Sequence, residues 1–232
     1  MEYISGVKID SHYNDFGADI AFNDHKISFI LKHTKNKKIL DLGCVMHNPE
    51  NAKSRYWLHR ATYSNASSVL GLDLYNDGVK SLKKMGYNVV HGDAQNFKLD
   101  DEFDIIIAAD IMEHLSNLGS FLNCCHKHLK DEGVMIVTTP NPFSLFAFLN
   151  FLTKKVYTNP EHTTWFCKQT MERLLENNRF RIKRMYYHNW KTMYDLKKRK
   201  YIYFKLYPLY NLLCKLIPGV SNNQVFIVEK SK

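Results

Sequence analysis

Residues 110–114, Asp-Ile-Met-Glu-His, set two carboxylates and an imidazole at spacing i, i+3, i+4. In a helical turn that spacing projects Asp110, Glu113 and His114 to one side. Two chemistries suit such a group. An imidazole titrates near ~6.5 and can take a proton from a hydroxyl, which makes His114 a candidate general base. Alternatively, the carboxylate oxygens and the imidazole nitrogen form a ligand set for magnesium, manganese or zinc, with His162 of Pro160-Glu161-His162-Thr163-Thr164-Trp165-Phe166 as a fourth ligand. A structural role is the third reading: the acids cap or solvate the turn and His114 packs under a lid.

Something must hold that turn in place. Short apolar runs predict strands over Lys38–Leu42, Ser68–Leu74, Asn88–His91, Phe103–Ala109, Gly133–Thr138, Phe180–Tyr187 and Gln224–Glu229. Helical patterns occupy about 24–33, 50–64, 77–85, 117–130 and 168–177. Strands alternating with helices imply βαβ units and a mostly parallel sheet. No helical pattern follows the last strand, which fits an antiparallel partner for Phe180–Tyr187. In such sheets ligands bind beyond the carboxyl ends of the strands, so the residues just after each strand are the informative ones.

Those residues form a series. Asp41-Leu42-Gly43-Cys44 follows the first strand, and Gly43 allows a sharp turn with free amides. Asp73 with Leu74 ends the second, where a carboxylate can accept two hydrogen bonds from a ribose diol. Asp93 and Ala94 end the third, placed for an adenine amino group. Ala109 and the 110–114 turn end the fourth, and Thr138-Thr139-Pro140-Asn141-Pro142 ends the fifth. Singly, each acid reads as a helix cap; in this order they form a cofactor site. Val45, Met46 and His47 stand where a phosphate cradle would need bare backbone, which weakens a dinucleotide reading of the loop. Asp73 lies 32 positions after Asp41, beyond the ~20 of a compact dinucleotide unit. The excess implies an enlarged first helix and loop.

Residues 36–190 resemble the class I S-adenosylmethionine-dependent methyltransferases. The motifs that carry the likeness are the loop at 41–44, the acids at 73 and 93, "FDIIIAADIMEHL" and "GVMIVTTPNP". The Glu-His-Leu turn and "HTTWF" are most similar to the branch that includes ubiquinone-pathway and polysaccharide- or O-antigen-associated O-methyltransferases. The resemblance implies a Rossmann-like α/β fold with a seven-stranded, mostly parallel sheet, an antiparallel last strand, helices on both faces and an apolar cap. It implies S-adenosylmethionine as cofactor and S-adenosylhomocysteine as product. Asp41, Gly43, Cys44, Asp73, Leu74, Asp93, Ala94 and Ala109 would bind it, with Gly43 against the methionine part. His114, Glu113 and His162 would be catalytic. The possible divalent metal on Asp110, Glu113, His114 and His162 is similar to that of plant small-RNA 2′-O-methyltransferases.

Composition narrows the setting. The chain has 232 residues, 45% of them apolar, which is ordinary for one globular domain. We expect a single methyltransferase domain over 1–232, a helical cover over 1–36, and cap insertions at 143–166 and 191–222. Five cysteines, at 44, 124, 125, 167 and 214, show no metal-binding or disulfide spacing. With no apolar signal stretch in MEYISGVKID, they predict reduced thiols and a cytoplasmic protein. The net charge of +9 reflects either a lysine-rich solvated surface or an anionic partner. Two segments, 143–155 and 197–220, are apolar and aromatic with flanking Lys and Arg, and neither is a membrane span. They suit a lid or dimer contact, or a peripheral membrane element. The expected activity is O-methylation of a sugar or another small or lipid-linked hydroxyl acceptor. Two other readings are an RNA 2′-O-methyltransferase, for which no RNA-binding module is recognisable, and a non-catalytic binding module suggested by the missing glycines.

Overall fold

The computed structural model describes residues 3–4, 7–8, 19–20, 26–46, 49–54, 57–153, 159–189 and 200–231, the side chains of 3–4, 7–8, 19–20, 51, 53 and 200–207 excepted. His47 of the first loop, positions 191–199 of the second cap and the rings of Tyr201, Tyr203, Phe204 and Tyr207 therefore lie outside the described set.

Seven strands form the centre: β1 (Lys38–Leu42), β2 (Ser68–Asp73), β3 (Val89–His91), β4 (Phe103–Ala109), β5 (Leu129–Pro140), β6 (Phe180–His188) and β7 (Asn223–Lys230). Their order across the sheet is β3-β2-β1-β4-β5-β7-β6. β1 to β5 run parallel, and β7 is antiparallel to both β5 and β6. Of the helical cover expected over 1–36, residues 1–2, 5–6, 9–18 and 21–25 lie outside the described set. Among its described residues only α1 (Lys26–Thr34) is helical. Asp19–Ile20 adds an eighth strand, parallel to Tyr186–Tyr187 at the β6 edge, and Tyr3–Ile4 pairs with Val7–Lys8. Two-residue strands are too short to carry a period-2 pattern, which is why the sequence does not announce them.

Both faces of the sheet are buried, so alternate residues of each strand supply two separate cores. Ile39, Ile105, Ile107, Ile136 and Ile227 pack with Phe29 and Ile30 of α1 on one side. Leu40, Ile106, Ala108, Met135, Val137 and Phe226 pack with Phe121, Leu122 and Cys125 of α4 (Leu118–His128) on the other. The same alternation sends Asp41 to the Ile39 face.

The helix expected over 50–64 is not continuous. A 3-10 turn, Pro49–Lys53, precedes Trp57 in extended backbone, and α2 is only Leu58–Thr62. α3 (Asn76–Lys84) and α6 (Lys168–Glu176) lie where helical periodicity predicts them. The two apolar segments also hold helices, α5 (Leu145–Leu152) and α7 (Lys200–Leu216), the latter continuing through Pro208. No helix among the described residues is long and apolar enough to cross a membrane.

β1 pairs with β2 on one side and β4 on the other. Crossovers leave this pair of strands in opposite directions, and the carboxyl ends of β1 and β4 therefore open a crevice. Beneath it, Gly71 of β2 stands opposite Asp41. A Cβ at Gly71 would come within 2.6 Å of Cys44 Sγ, 2.7 Å of His59 and 2.8 Å of Val89. Gly71→Ala should therefore lower stability by about 1–3 kcal/mol through overpacking. Gly119→Ala, whose Cβ would approach nothing closer than 3.8 Å, should not. Urea unfolding of the two variants beside the parent checks the contrast.

Candidate active site

The crevice is a cleft of about 530 Å³, within the several hundred Å³ usual for small-molecule sites. Gly43, Leu72, Asp73, Leu74, Asp93, Ala94 and Gln95 line one end, and Ala109, Asp110, Ile111, His114 and Glu161 line the other. A smaller recess of about 220 Å³ continues from it past Gly43 and Met46, between Lys26, Asp41, Cys44, Trp57 and His59.

The first loop is shaped by two acids. Asp73 Oδ2 accepts the Val45 amide at 2.8 Å and Oδ1 accepts the Tyr75 amide at 2.9 Å. Each oxygen retains a lone pair toward the cleft. Asp41, buried in β1, accepts or shares a proton with His59 Nδ1 at 2.9 Å. Trp57 Nε1 donates to the Cys44 carbonyl at 2.7 Å. The loop turns at Gly43 with φ 75° and again at Met46 with φ 53°. A side chain at Gly43 would meet Ile111 at 3.3 Å as well as the strain of positive φ.

The residues expected to bind cofactor thus divide. Gly43, Asp73, Leu74, Asp93, Ala94 and Ala109 face the main cleft. Asp41 and Cys44 do not; they line the recess, where Asp41 is paired with His59 and burial drives the Cys44 thiol pKa strongly upward. Asp93 accepts the Gln95 amide at 2.8 Å, which fixes the turn and leaves Ala94 buried beneath it. The fit to S-adenosylmethionine rests on this lining: carboxylates suited to a ribose diol and an adenine amino group, apolar Leu72, Leu74 and Ala94 beside them, and no anion cradle among the described residues.

At the other end the 110–114 turn is a 3-10 helix over Met112–His114. It does not gather all four expected ligands. Asp110, at φ 53°, turns back to Lys26 Nζ and to the Thr138 hydroxyl at 2.6 Å. Its side chain is 41% exposed toward the cleft, with protein packed around the rest. Burial would raise its pKa; the Lys26 ammonium, helped by Thr138, outweighs burial and holds it below the usual carboxylate range. Glu113, His114 and His162 do converge, with potential ligand atoms all within 4.8 Å of one another. The two imidazole rings meet edge to face at 4.7 Å. Thr163 anchors His162 there by donating its amide to the Glu113 carbonyl at 2.8 Å and its hydroxyl to the Leu115 carbonyl at 2.9 Å. Burial, and then His114, lowers the His162 pKa and favours its neutral form.

Glu113 is the anomaly of the cluster. It is 2% exposed, and neither carboxyl oxygen meets a partner in good hydrogen-bond geometry among the described residues; the Thr139 hydroxyl lies close enough to favour its anion only weakly. Burial, reinforced by the Asp110 charge, pushes its pKa up to about 8. Without a cation it is therefore a neutral acid at pH 7, unsuited to act as a base. Sequence reasoning did not reach Lys26, His59, Trp57 or Gln95, whose roles depend on contacts across 84, 18 and 13 residues, and 2 residues in the case of Gln95.

The Glu113 shift has a consequence for stability. The unfolded carboxyl titrates near 4.5 and the folded one near 8. Between those values the folded chain holds the extra proton, so stability falls as pH rises through the window and levels off above it. For metal-stripped protein, the unfolding free energy should decline by a few kcal/mol across that interval. Glu113→Gln should abolish the decline, as urea titrations at a series of pH values would reveal.

Residues 16–184 match the methyltransferase domain family. The mitochondrial ubiquinone biosynthesis O-methyltransferase of Homo sapiens is 27% identical over 180 residues, which are 67% of this chain and 46% of that protein. The ubiquinone biosynthesis O-methyltransferase of Pelagibacter ubique is 28% identical over 126 residues, 51% of this chain and 48% of its own. The chain thus spans about half the length of these relatives. In fold it is similar to a SAM dependent methyltransferase from Archaeoglobus fulgidus, with a TM-score of 0.57 at 20% identity over 86% of this chain and 88% of that one. An S-adenosylmethionine-dependent methyltransferase from Clostridium acetobutylicum gives 0.57 at 13% identity, over 90% and 93%. The family match takes in β1 to β5, the cleft lining from Gly43 to Leu115, and His162. The chain belongs to the methyltransferase domain family and carries the class I, S-adenosylmethionine-dependent methyltransferase fold.

Proposed function

We propose that this protein uses S-adenosylmethionine to methylate the hydroxyl of a small or lipid-linked acceptor. One observation carries the reading: a single cleft is lined at one end by Asp73, Asp93 and Ala94 and at the other by His114, so a nucleoside site and an acid–base site are continuous. The O-methyltransferase relatives support oxygen as the atom methylated. When bound, the cofactor supplies a methyl group on a sulfonium, whose leaving group is a neutral thioether. Little acid assistance is needed at that end, so positioning supplies much of the acceleration.

The chain's own groups then have distinct tasks. Asp73 accepts the ribose hydroxyls through the lone pairs its backbone contacts leave available. Asp93 and the buried Ala94 frame the adenine, and the Gly43 turn leaves room for the methionine end. His114, half-buried at the cleft wall, takes the proton from the acceptor oxygen as that oxygen attacks, becomes imidazolium, and releases the proton to solvent. His162, held against the His114 ring, orients it.

A second reading is favoured by the orphaned carboxyl of Glu113. A divalent cation held by Glu113, His114 and His162 would give those oxygens a partner and would bind the acceptor hydroxyl as an alkoxide-stabilising Lewis acid. Asp110, neutralised by Lys26, lies outside this set.

Asp73→Ala should weaken S-adenosylmethionine binding at least tenfold, since charge-assisted hydrogen bonds to a closed site are worth about 1.5–3 kcal/mol. Calorimetry on the folded variant checks this; unchanged affinity would place the cofactor elsewhere. Exhaustive chelation and His114→Ala separate the two readings of the acid–base end. A rate unaffected by chelation but abolished in the variant supports the base, whereas loss restored by magnesium, manganese or zinc supports the metal. If neither treatment changes the rate, the cluster is structural and the O-methylation chemistry drawn here is wrong.

A further inference from the structure

The main cleft carries the opposite charge to the chain that builds it. Over the whole sequence Lys and Arg outnumber Asp and Glu by 32 to 23. Yet the charged side chains that line the cleft are Asp73, Asp93, Asp110 and Glu161, with no Lys or Arg among the described residues beside them. Three of these acids have structural partners. Asp73 and Asp93 hold backbone amides at the donor end, and Asp110 is paired with Lys26 and Thr138.

Glu161 is placed differently. Its amide donates to Asn159 Oδ1 at 3.1 Å, which fixes the backbone of the turn. Its side chain is 65% exposed, and its ion-pair neighbour, His114 Nδ1, lies 4.0 Å from Oε2. That separation is beyond a hydrogen bond, so the contact is one of charge alone and the carboxylate keeps its lone pairs for a third group. The excursion that carries it is fastened by Thr163 to the Glu113 and Leu115 carbonyls, so the carboxylate is delivered to the acceptor end of the cleft by a rigid support.

Its position beside His114 makes the charge selective. The imidazole that takes the acceptor proton and the carboxylate stand together, so a group adjoining the acceptor hydroxyl comes within reach of Glu161. A cleft lined by one sign of charge gathers counter-ions and repels co-ions. A neutral donor would satisfy a lone pair of Glu161, and an ammonium would satisfy its charge as well. A carboxylate or phosphate would meet like charge, with no described cation in the cleft lining to offset it.

We propose that Glu161 sets acceptor specificity by charge, favouring a hydroxyl flanked by an ammonium and rejecting anionic acceptors, a phosphate-flanked ribose included. This deepens the reading of His114 as the base at the acceptor end and rests on it.

The experiment uses phenolic probes of similar size that differ in charge: tyramine, a cation; tyrosol, neutral; and 4-hydroxyphenylpropionate, an anion. Calorimetry measures their binding to the full chain saturated with S-adenosylhomocysteine, and radiolabelled S-adenosylmethionine reports methyl transfer to each. Tyramine should bind at least about fivefold more tightly than 4-hydroxyphenylpropionate, the reach of a half-exposed charge pair, with tyrosol between them and the gap narrowing as salt is added. Glu161→Gln should bring the affinities together, and Glu161→Lys should invert their order. Affinity for S-adenosylhomocysteine, read at the other end of the cleft, verifies that both variants are folded. Equal affinities in the parent, a preference for the anion, or failure of all the probes to bind overturns the proposal. An order that persists in Glu161→Gln overturns it too, by assigning the selectivity to another group. The expected order of binding without methyl transfer to any probe upholds the charge selectivity and counts instead against His114 as the base, so the two failures are distinct.

Discussion

A carboxylate inside a parallel sheet must find a partner, and much of this molecule is arranged around the one that Asp41 finds. β1 alternates its side chains between two cores, and Asp41 falls on the α1–α2 face, where it is buried. His59 meets it from α2, itself fully buried. To bring His59 there the chain enters α2 through extended backbone at Trp57, and Trp57 in turn holds the Cys44 carbonyl. An unpaired ion at Asp41 would be strongly destabilising. The pairing therefore fixes the floor of the first loop, and the edge-to-face rings of Trp57, Tyr63 and Tyr87 around His59 close it from outside.

That floor explains how a loop poor in glycine can still border a ligand cleft. Only Gly43 needs glycine's freedom outright; Met46 also reaches positive φ, at the cost of about 1–2 kcal/mol for a side-chain-bearing residue. Trp57 holds the loop from below and the Asp73 carboxylate holds it from the side, so its path past the cleft is fixed although only Gly43 and Met46 of it line the main cleft. Asp110 plays the corresponding part across the crevice. Its positive φ, its bond to Thr138 and its pairing with Lys26 fix the direction in which β4 ends. They also keep its oxygens out of the ligand cluster that Glu113, His114 and His162 form, although its charge still reaches Glu113.

The sequence carried the sheet well because its strands are buried on both faces and read as near-continuous apolar runs. Phe103–Ala109 coincides with its expected span, and Phe180–His188 differs by one residue. The ordered acids at 73 and 93 were likewise legible, since strand ends in such sheets define one edge. Two kinds of feature were not. α5 and α7 are apolar nearly all round, so periodicity could not declare them helices. And the pairings that shape the site, Lys26 with Asp110 and His59 with Asp41, join elements whose adjacency is a property of topology. No local pattern encodes that α1 begins beside the carboxyl end of β4.

The contacts of Thr163 have an evolutionary side. Every residue lining the nucleoside end of the cleft lies between Gly43 and Gln95, whereas His162 and Glu161 arrive on one excursion that leaves β5 at Pro140 and is stitched back by Thr163 to Glu113 and Leu115. The donor half of the site and this excursion are separate stretches of chain, and the excursion is fixed at its ends by Asn141, Thr163 and the buried Phe166. Selection can rewrite the exposed positions between Asn141 and Phe166, and so the wall of the cleft that Glu161 forms, without disturbing the donor pocket or the sheet beneath it. A fold divided in this way allows substrate range to diversify without the cofactor having to be learned again.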